Sequence, residues 1–392
     1  MTASLRAAHL RLVDAAPLIV ARDLGLAEAE GVALDLVTAP SWSALRDMLG
    51  SRRVDVAQML SPMPVAMALG LGGARGAVEA LQVLSVNGNV IGVSPALAAR
   101  LAGAASGDGA FGDAAAAGTA LLAAAAKLPL RVGVPFPFSM HAELVDYWLE
   151  RAGPPAPGAI VVRTVPPSLM HEALEAGEVD AFCVGEPWGS AAVARGVGRL
   201  ILPGRAIWAF APEKVLAART GWAEAEPARA GGLMRALHRA ASWLSDAANL
   251  PLAAEMMARD TGLGLSVELI EPALTGCLPL GPSVVTPVPG FVEFHRGAAA
   301  FPWRSQGAWI ADRLALRHRL DRRTAQAAGR RVFRSDLYRR FLGDLAPDMP
   351  GASGKIEGAV SVPTPVASRR GRLTLEPDRF FDGAVFEPFP DS

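Results

Sequence analysis

The chain has 392 residues, more than one compact core usually holds, so two lobes or domains are expected. Lysine plus arginine and aspartate plus glutamate number 38 each, so the formal net charge is zero and no positive excess marks a nucleic-acid surface. Two cysteines, Cys183 and Cys277, rule out a disulfide framework or a cysteine-rich metal site and leave open a single bridge.

The first residues, MTASLRAAHLRLVDAAPL, lack the basic start, apolar run and small-residue cleavage site of a secretory signal, because Arg6, His9, Arg11 and Asp14 interrupt them. A cytoplasmic protein is therefore expected, provided that Met1 is the true start. The most apolar long stretch, 114–126, is alanine-rich and too short to span a bilayer.

In chain order, 5–13 alternates as a strand, 17–23 opens a helix stopped by Gly25, and 33–37 reads as a second strand. A short helix follows over 41–49 with Ser41 or Ser43 as its cap, and then a strand over 55–59. This β-α-β-α-β rhythm predicts a parallel sheet covered by helices. It recurs as a strand at 130–134, a helix at 141–151, a strand at 159–165, a helix at 168–176 and a strand at 180–184. Between the two units lies an alanine- and glycine-rich stretch that reads as helix carrying an insertion at 102–118. Beyond residue 207 the pattern turns helical, at 234–247, 251–261 and 303–320. Residues 349–392 read as an extended tail. The expected plan is α/β and bilobal: 1–90 begins lobe 1, 91–200 forms lobe 2, 201–348 returns to lobe 1, and a cleft lies between the lobes.

No nucleophile elbow, zinc-protease, P-loop or dinucleotide motif occurs, so no enzyme signature is present. Glu186, in the run Val184-Gly185-Glu186-Pro187-Trp188, reads as a buried structural carboxylate before it reads as a general base. What remains is a scatter of hydrogen-bond donors at helix starts: Trp42, the Asn87–Asn89 turn and His141. Lys214 stands apart because lysine occurs only at 127, 214 and 355, and a compact ammonium suits a point-charge role. Singly, each has a plainer explanation: Trp42 as core, His141 near a helix cap, the asparagines as turn residues, Lys214 as a solvated charge. Only the ensemble favours an anion site.

The ensemble has a familiar order. The segments LVDAAPL at 12–18, SWSALRD at 41–47, LSPMP at 60–64, VNGN at 86–89, FSMH at 138–141, FCVGEPW at 182–188, PEK at 212–214 and FPWRSQ at 301–306 succeed one another. This set resembles the nitrate- and bicarbonate-binding proteins of the NrtA/CmpA family, over about residues 5–345, and within that family the sequence looks most like the cytosolic NasS-type nitrate/nitrite sensors, to which its tail is also similar. The resemblance implies a type II periplasmic-binding-protein-like fold and no enzymatic activity. It implies anion contacts at Trp42, Asn89, His141, Gly185, Pro187 and Lys214, with Asn89 standing where the transport proteins carry glutamine. Bicarbonate binders place a carboxylate at the Lys214 position and recruit a metal ion. The lysine here implies nitrate or nitrite without metal or other cofactor. The NasS-type resemblance further implies control of a NasT-type antiterminator with an ANTAR domain. Two alternatives are the binding component of a nitrate ABC transporter and an enzyme of the bilobal pyrimidine-synthase kind. That enzyme would need a substrate-site histidine with a cysteine cluster that two scattered cysteines cannot supply.

Overall fold

The computed structural model describes residues 4–73, 76–102, 111–259, 261–281, 283–345, 349–368 and 371–389. Its first sheet contains strands β1 (Leu5–His9), β2 (Leu34–Thr38), β3 (Val56–Leu60) and β4 (Val78–Asn87). Strands β5 (Asn89–Val93), β6 (Leu130–Val134), β7 (Ile160–Thr164), β8 (Ala181–Gly185) and β9 (Arg199–Pro203) form the second sheet. Strand β10 (Pro212–Arg219) returns to the first. The strand orders are Val292–Glu293, β4, β10, β3, β1, β2 in one lobe and β7, β6, β8, β5, β9 in the other.

Neither sheet is purely parallel, which corrects the expectation from the β-α-β rhythm. β1 runs parallel to β2 and β3, and β6 parallel to β7 and β8. However, β10 is antiparallel to β3 and β4, and β5 is antiparallel to β8 and β9. The reason is connectivity. The chain passes between the lobes at Gly88 and again over 204–211, and the strands at these crossings enter each sheet against the direction of the β-α-β strands. β4 escapes a period-two reading because both of its faces are buried, with Glu79, Gln82, Ser85 and Asn87 interspersed among its apolar residues.

The helices that matter for the cleft start where strands end. Helix Trp42–Gly50 is capped by the Ser41 hydroxyl, which accepts from Ala44 N at 3.2 Å. Helix Met140–Ala152 is capped likewise by Ser139, accepting from Ala142 N at 3.1 Å. Of the 102–118 stretch, residues 103–110 lie outside the described residues. Residues from Ala114 onward are ordinary helix, capped by Asp113 and running to Lys127. Gly118 lets that helix press on Met140–Ala152: a Cβ there would lie 2.6 Å from the Ala152 methyl.

The C-terminal third braces both lobes. Helix Arg304–His318 packs against Arg322–Val332 so closely that a Cβ on Gly307 would come within 2.4 Å of the Gly329 carbonyl oxygen. Its Arg313 donates to Asp146 and Glu150 of the second lobe, and Arg317 donates to the buried Glu143 at 2.6 Å. Residues 349–389 include a short hairpin, Thr364–Ala367 with Arg372–Leu375. Phe380 stacks on Trp208 with ring centroids 4.9 Å apart, and Asp382 accepts from Tyr147 Oη at 2.9 Å. Cys183 and Cys277 are free thiols, one buried and one exposed, so the single bridge left open by the sequence is not made. Among the described residues, no helix is long and apolar enough to cross a membrane.

The two crossings are tied by one side chain. Asn87 sits in the left-handed region at φ +59°, its amide donates to Ala209 O at 2.8 Å, and its side-chain oxygen accepts from Ala211 N at 3.1 Å. Asn87→Ala loses both bonds and places an alanine at positive φ, so a loss of about 2–4 kcal/mol is expected in urea unfolding. A loss under about 0.5 kcal/mol, the range of an ordinary surface substitution, would contradict this reading of the hinge.

Candidate functional site

Between the lobes the fold buries an ion cluster. Lys214 is fully buried on β10, with its Nζ 2.7 Å from Asp14 Oδ2 and 3.0 Å from Glu213 Oε1. Asp14 comes from the turn Val13–Ala15 that follows β1. The adjacent residues Glu213 and Lys214 both reach the cluster although strand side chains normally alternate. The pairing of β10 with β4 slips between Pro212 and Lys214 and again between Lys214 and Val215. Such an irregularity re-aims side chains.

Further groups fix these charges. Gln58 Nε2 donates to Asp14 Oδ1 at 2.6 Å. Asn89 Nδ2 donates to Glu213 Oε2 at 2.8 Å. His141, in the first turn of Met140–Ala152, holds Nδ1 3.2 Å from Glu213 Oε1. The Trp42 ring lies 5.6 Å from Lys214 Nζ, within cation–π range. Gly185, at the end of β8, leaves room where a Cβ would sit 3.6 Å from His141 Nε2 and 3.8 Å from Asp14 Oδ2. Pro187 is buried, two residues further on, and turns the chain into helix Trp188–Ala194.

The structure thus brings Trp42, Asn89, His141, Gly185 and Lys214 together, with Pro187 just behind Gly185. Two placements differ from the sequence expectation. Lys214 is not a lone positive charge but lies between two carboxylates, and the Asn89 amide is spent on Glu213. Asp14, Gln58 and Glu213 were missed. Asp14 and Glu213 stand inside two of the recurring segments, yet a carboxylate beside an anion site reads as repulsive until the lysine between them is seen. Glu186 is the structural carboxylate the sequence favoured: Oε2 accepts from Ser190 N at 3.0 Å, and burial pushes its pKa up to about 7.

Electrostatics keeps the lysine charged. Burial disfavours its ammonium form, but Asp14 and Glu213 outweigh that and hold its pKa above the ordinary value. Burial raises the pKa of both Asp14 and Glu213 despite the lysine. Burial, then repulsion from Lys214, pushes His141 well below the usual histidine range, so its ring is neutral near pH 7. The Trp42 indole N–H and His141 Nε2 are buried with no hydrogen-bond partner, and His141 Nδ1 has only its 3.2 Å approach to the Glu213 carboxylate. A small ligand between Lys214, Trp42 and His141 would satisfy them.

The lobes meet beside this cluster. Trp188 Nε1 donates to Arg11 O at 2.8 Å, and Val13 N donates to Glu186 O at 2.9 Å. A cavity of about 380 Å³, lined from both lobes by Arg11, Thr38, Pro167, Ser168 and Trp188, opens next to that contact. Access to Lys214 therefore requires the lobes to part. Among the described residues no group of three or more His, Cys, Asp and Glu is placed to hold a metal ion.

Comparison with known proteins agrees with this architecture. The NMT1-like family matches residues 1–258, so the chain belongs to that family. It is 30% identical over 389 residues to the nitrate/nitrite binding protein NrtA of Synechococcus elongatus, covering 97% of this chain and 82% of that protein. It is 32% identical over 378 residues to the nitrate import ATP-binding protein NrtC of Synechocystis, covering 94% of this chain but 54% of the relative, so it spans about half of that protein's length. The crystal structure of the periplasmic nitrate-binding protein NrtA from Synechocystis PCC 6803 superposes with a TM-score of 0.84 at 25% identity, covering 98% of this chain and 95% of that one. Within its family the chain is of the NrtA/CmpA solute-binding kind, and the two NrtA relatives are binding proteins, not enzymes.

Removing the ammonium tests the cluster. Lys214→Met leaves two buried carboxylates without their cation, a loss of about 3–5 kcal/mol. The folded state then holds protons on Asp14 and Glu213 more tightly than the unfolded chain does, so stability falls as pH rises and is regained as pH falls. Denaturant unfolding between pH 8 and pH 5 should show the defect shrinking on acidification. A defect that is constant or grows would refute the charge arrangement.

Proposed function

From this membership we propose that the protein binds nitrate or nitrite in the cleft between its lobes, with Lys214 as the charge and Trp42 and His141 as donors. The observation that carries the reading is the buried lysine near the Trp42 indole N–H and the His141 Nε2, neither of which has a protein partner. Gly185 keeps open the space beside His141. Nitrate is planar and accepts hydrogen bonds only, so a site rich in donors suits it. The relatives named as nitrate or nitrite binders support the same ligand.

We extend the reading to a cytoplasmic sensor: the open, ligand-free form holds a NasT-type antiterminator with an ANTAR domain, and the anion releases it. The basis is the resemblance of the tail to NasS-type sensors, joined to how that tail sits. Lys355 is held by Glu357 and Asp378, Ser305 donates to Glu357 at 2.6 Å, and Phe380 and Asp382 reach Trp208, Tyr147 and Arg151. A segment in contact with both the crossing region and the second lobe is placed to respond when the lobes move, as release of a partner on ligand binding requires. The second reading is the binding component of a nitrate ABC transporter, favoured by the likeness to the periplasmic NrtA structure.

Calorimetric titration with nitrate, nitrite, chloride, and bicarbonate plus calcium tests the ligand. Nitrate or nitrite should bind without metal. Binding of bicarbonate with calcium alone, or of none of these, would remove the assignment. Co-purification with an ANTAR-domain protein that nitrate elutes supports the sensor. A partner indifferent to nitrate, or none, would leave the transport reading.

A further inference from the structure

An acceptor-only anion makes a demand on His141 that the contacts around it do not meet. Nδ1 faces Glu213 Oε1 at 3.2 Å. That oxygen also takes the Lys214 ammonium at 3.0 Å, and Oε2 takes the Asn89 amide at 2.8 Å. Both oxygens of Glu213 are therefore placed as acceptors, and a neutral His141 must carry its single proton on Nδ1 to avoid setting a lone pair against the carboxylate. Its Nε2, directed at the space that Gly185 leaves, then presents a lone pair. Nitrate or nitrite has nothing to donate to it. The other tautomer only moves the clash to Glu213. An imidazolium satisfies both sides, donating from Nδ1 to Glu213 and from Nε2 to the anion.

The charges point the same way. Lys214, Asp14 and Glu213 sum to minus one when ionised, and a bound monoanion takes the buried cluster to minus two. One added proton returns it to minus one, and uncompensated buried charge is costly. We infer that the anion enters this site together with one proton, and that His141 carries it. The inference rests on the reading of the Lys214–His141 cleft as an anion site.

The groups facing the ring and its partners are few. The turn after β1 presents Asp14, β10 presents Glu213 and Lys214, and β8 presents Cys183. Burial, reinforced by Glu213, holds the Cys183 thiol well above its ordinary pKa, so it stays protonated and takes up nothing. Asp14 and Glu213 are the rival proton carriers. Glu213 accepts hydrogen bonds at both oxygens, from Lys214 and Asn89, and Asp14 accepts from Gln58 at Oδ1 and is ion-paired to Lys214 through Oδ2, whereas His141 Nε2 has neither a hydrogen bond nor an ion pair.

The test is nitrate titration of the full-length protein by calorimetry at pH 7 in buffers of differing ionisation enthalpy. The expected result is uptake of about one proton per anion, with the dissociation constant rising about tenfold per pH unit above neutrality. Binding without proton uptake would overturn the inference while leaving the anion site intact. Failure to bind nitrate would overturn the site itself and the inference with it. His141→Gln places an amide donor near the Nε2 position and should bind nitrate with uptake near zero and a flat pH profile. Uptake that survives this substitution would move the proton to Asp14 or Glu213 and refute its assignment to His141. Imidazole ¹⁵N resonances of the wild-type complex give a readout independent of the variant: both His141 nitrogens should be protonated, and one bare nitrogen would contradict the inference.

Discussion

The structure turns on one buried ammonium. A lysine sealed between two lobes is tolerated only because Asp14 and Glu213 hold it, one from the turn after β1 and the other from β10 of the same sheet. The arrangement leaves the cation firmly charged yet locally over-compensated. As an anion site, the role proposed above, it would favour one small enough to fit against Lys214 and the donors around it, and one whose charge the cluster can balance.

The rest of the architecture places donors around that charge and allows them to part. Serine caps set the first turns of two helices so that Trp42 comes from one lobe and His141 from the other. The crossings at Gly88 and 204–211 are the covalent links at the hinge, and Asn87 binds one to the other. Opening would separate His141 from Glu213, which dismantles the donor set. On the proposed reading closure and ligand binding are coupled, as in hinged binding proteins generally. The brace formed by Arg304–His318 and the tail ties the second lobe to the outer surface through Arg313, Arg317 and Asp382.

Much of this is written in local sequence. The cap at Ser41 and the strand at Leu130–Val134 follow from turn chemistry and period, as does the recurring β-α-β rhythm. The bilobal plan and the meeting of Trp42, His141, Gly185 and Lys214 followed from the order of short segments. Three things did not follow. β4 has no alternation because it is buried on both faces. β10 runs antiparallel because of long-range connectivity that no window of sequence records. The pairing irregularity that turns Glu213 and Lys214 the same way depends on the register of β10 against β4, so Glu213 read as a neighbour of the site and not as part of it.

The most direct test of the central claim is a crystal structure of the protein grown with nitrate. The account predicts one planar anion within hydrogen-bond distance of Lys214 Nζ, His141 Nε2 and Trp42 Nε1, beside Gly185, with the Lys214–Asp14–Glu213 contacts kept. An anion bound elsewhere, or an empty cleft with Lys214 still enclosed by its two carboxylates, would contradict it.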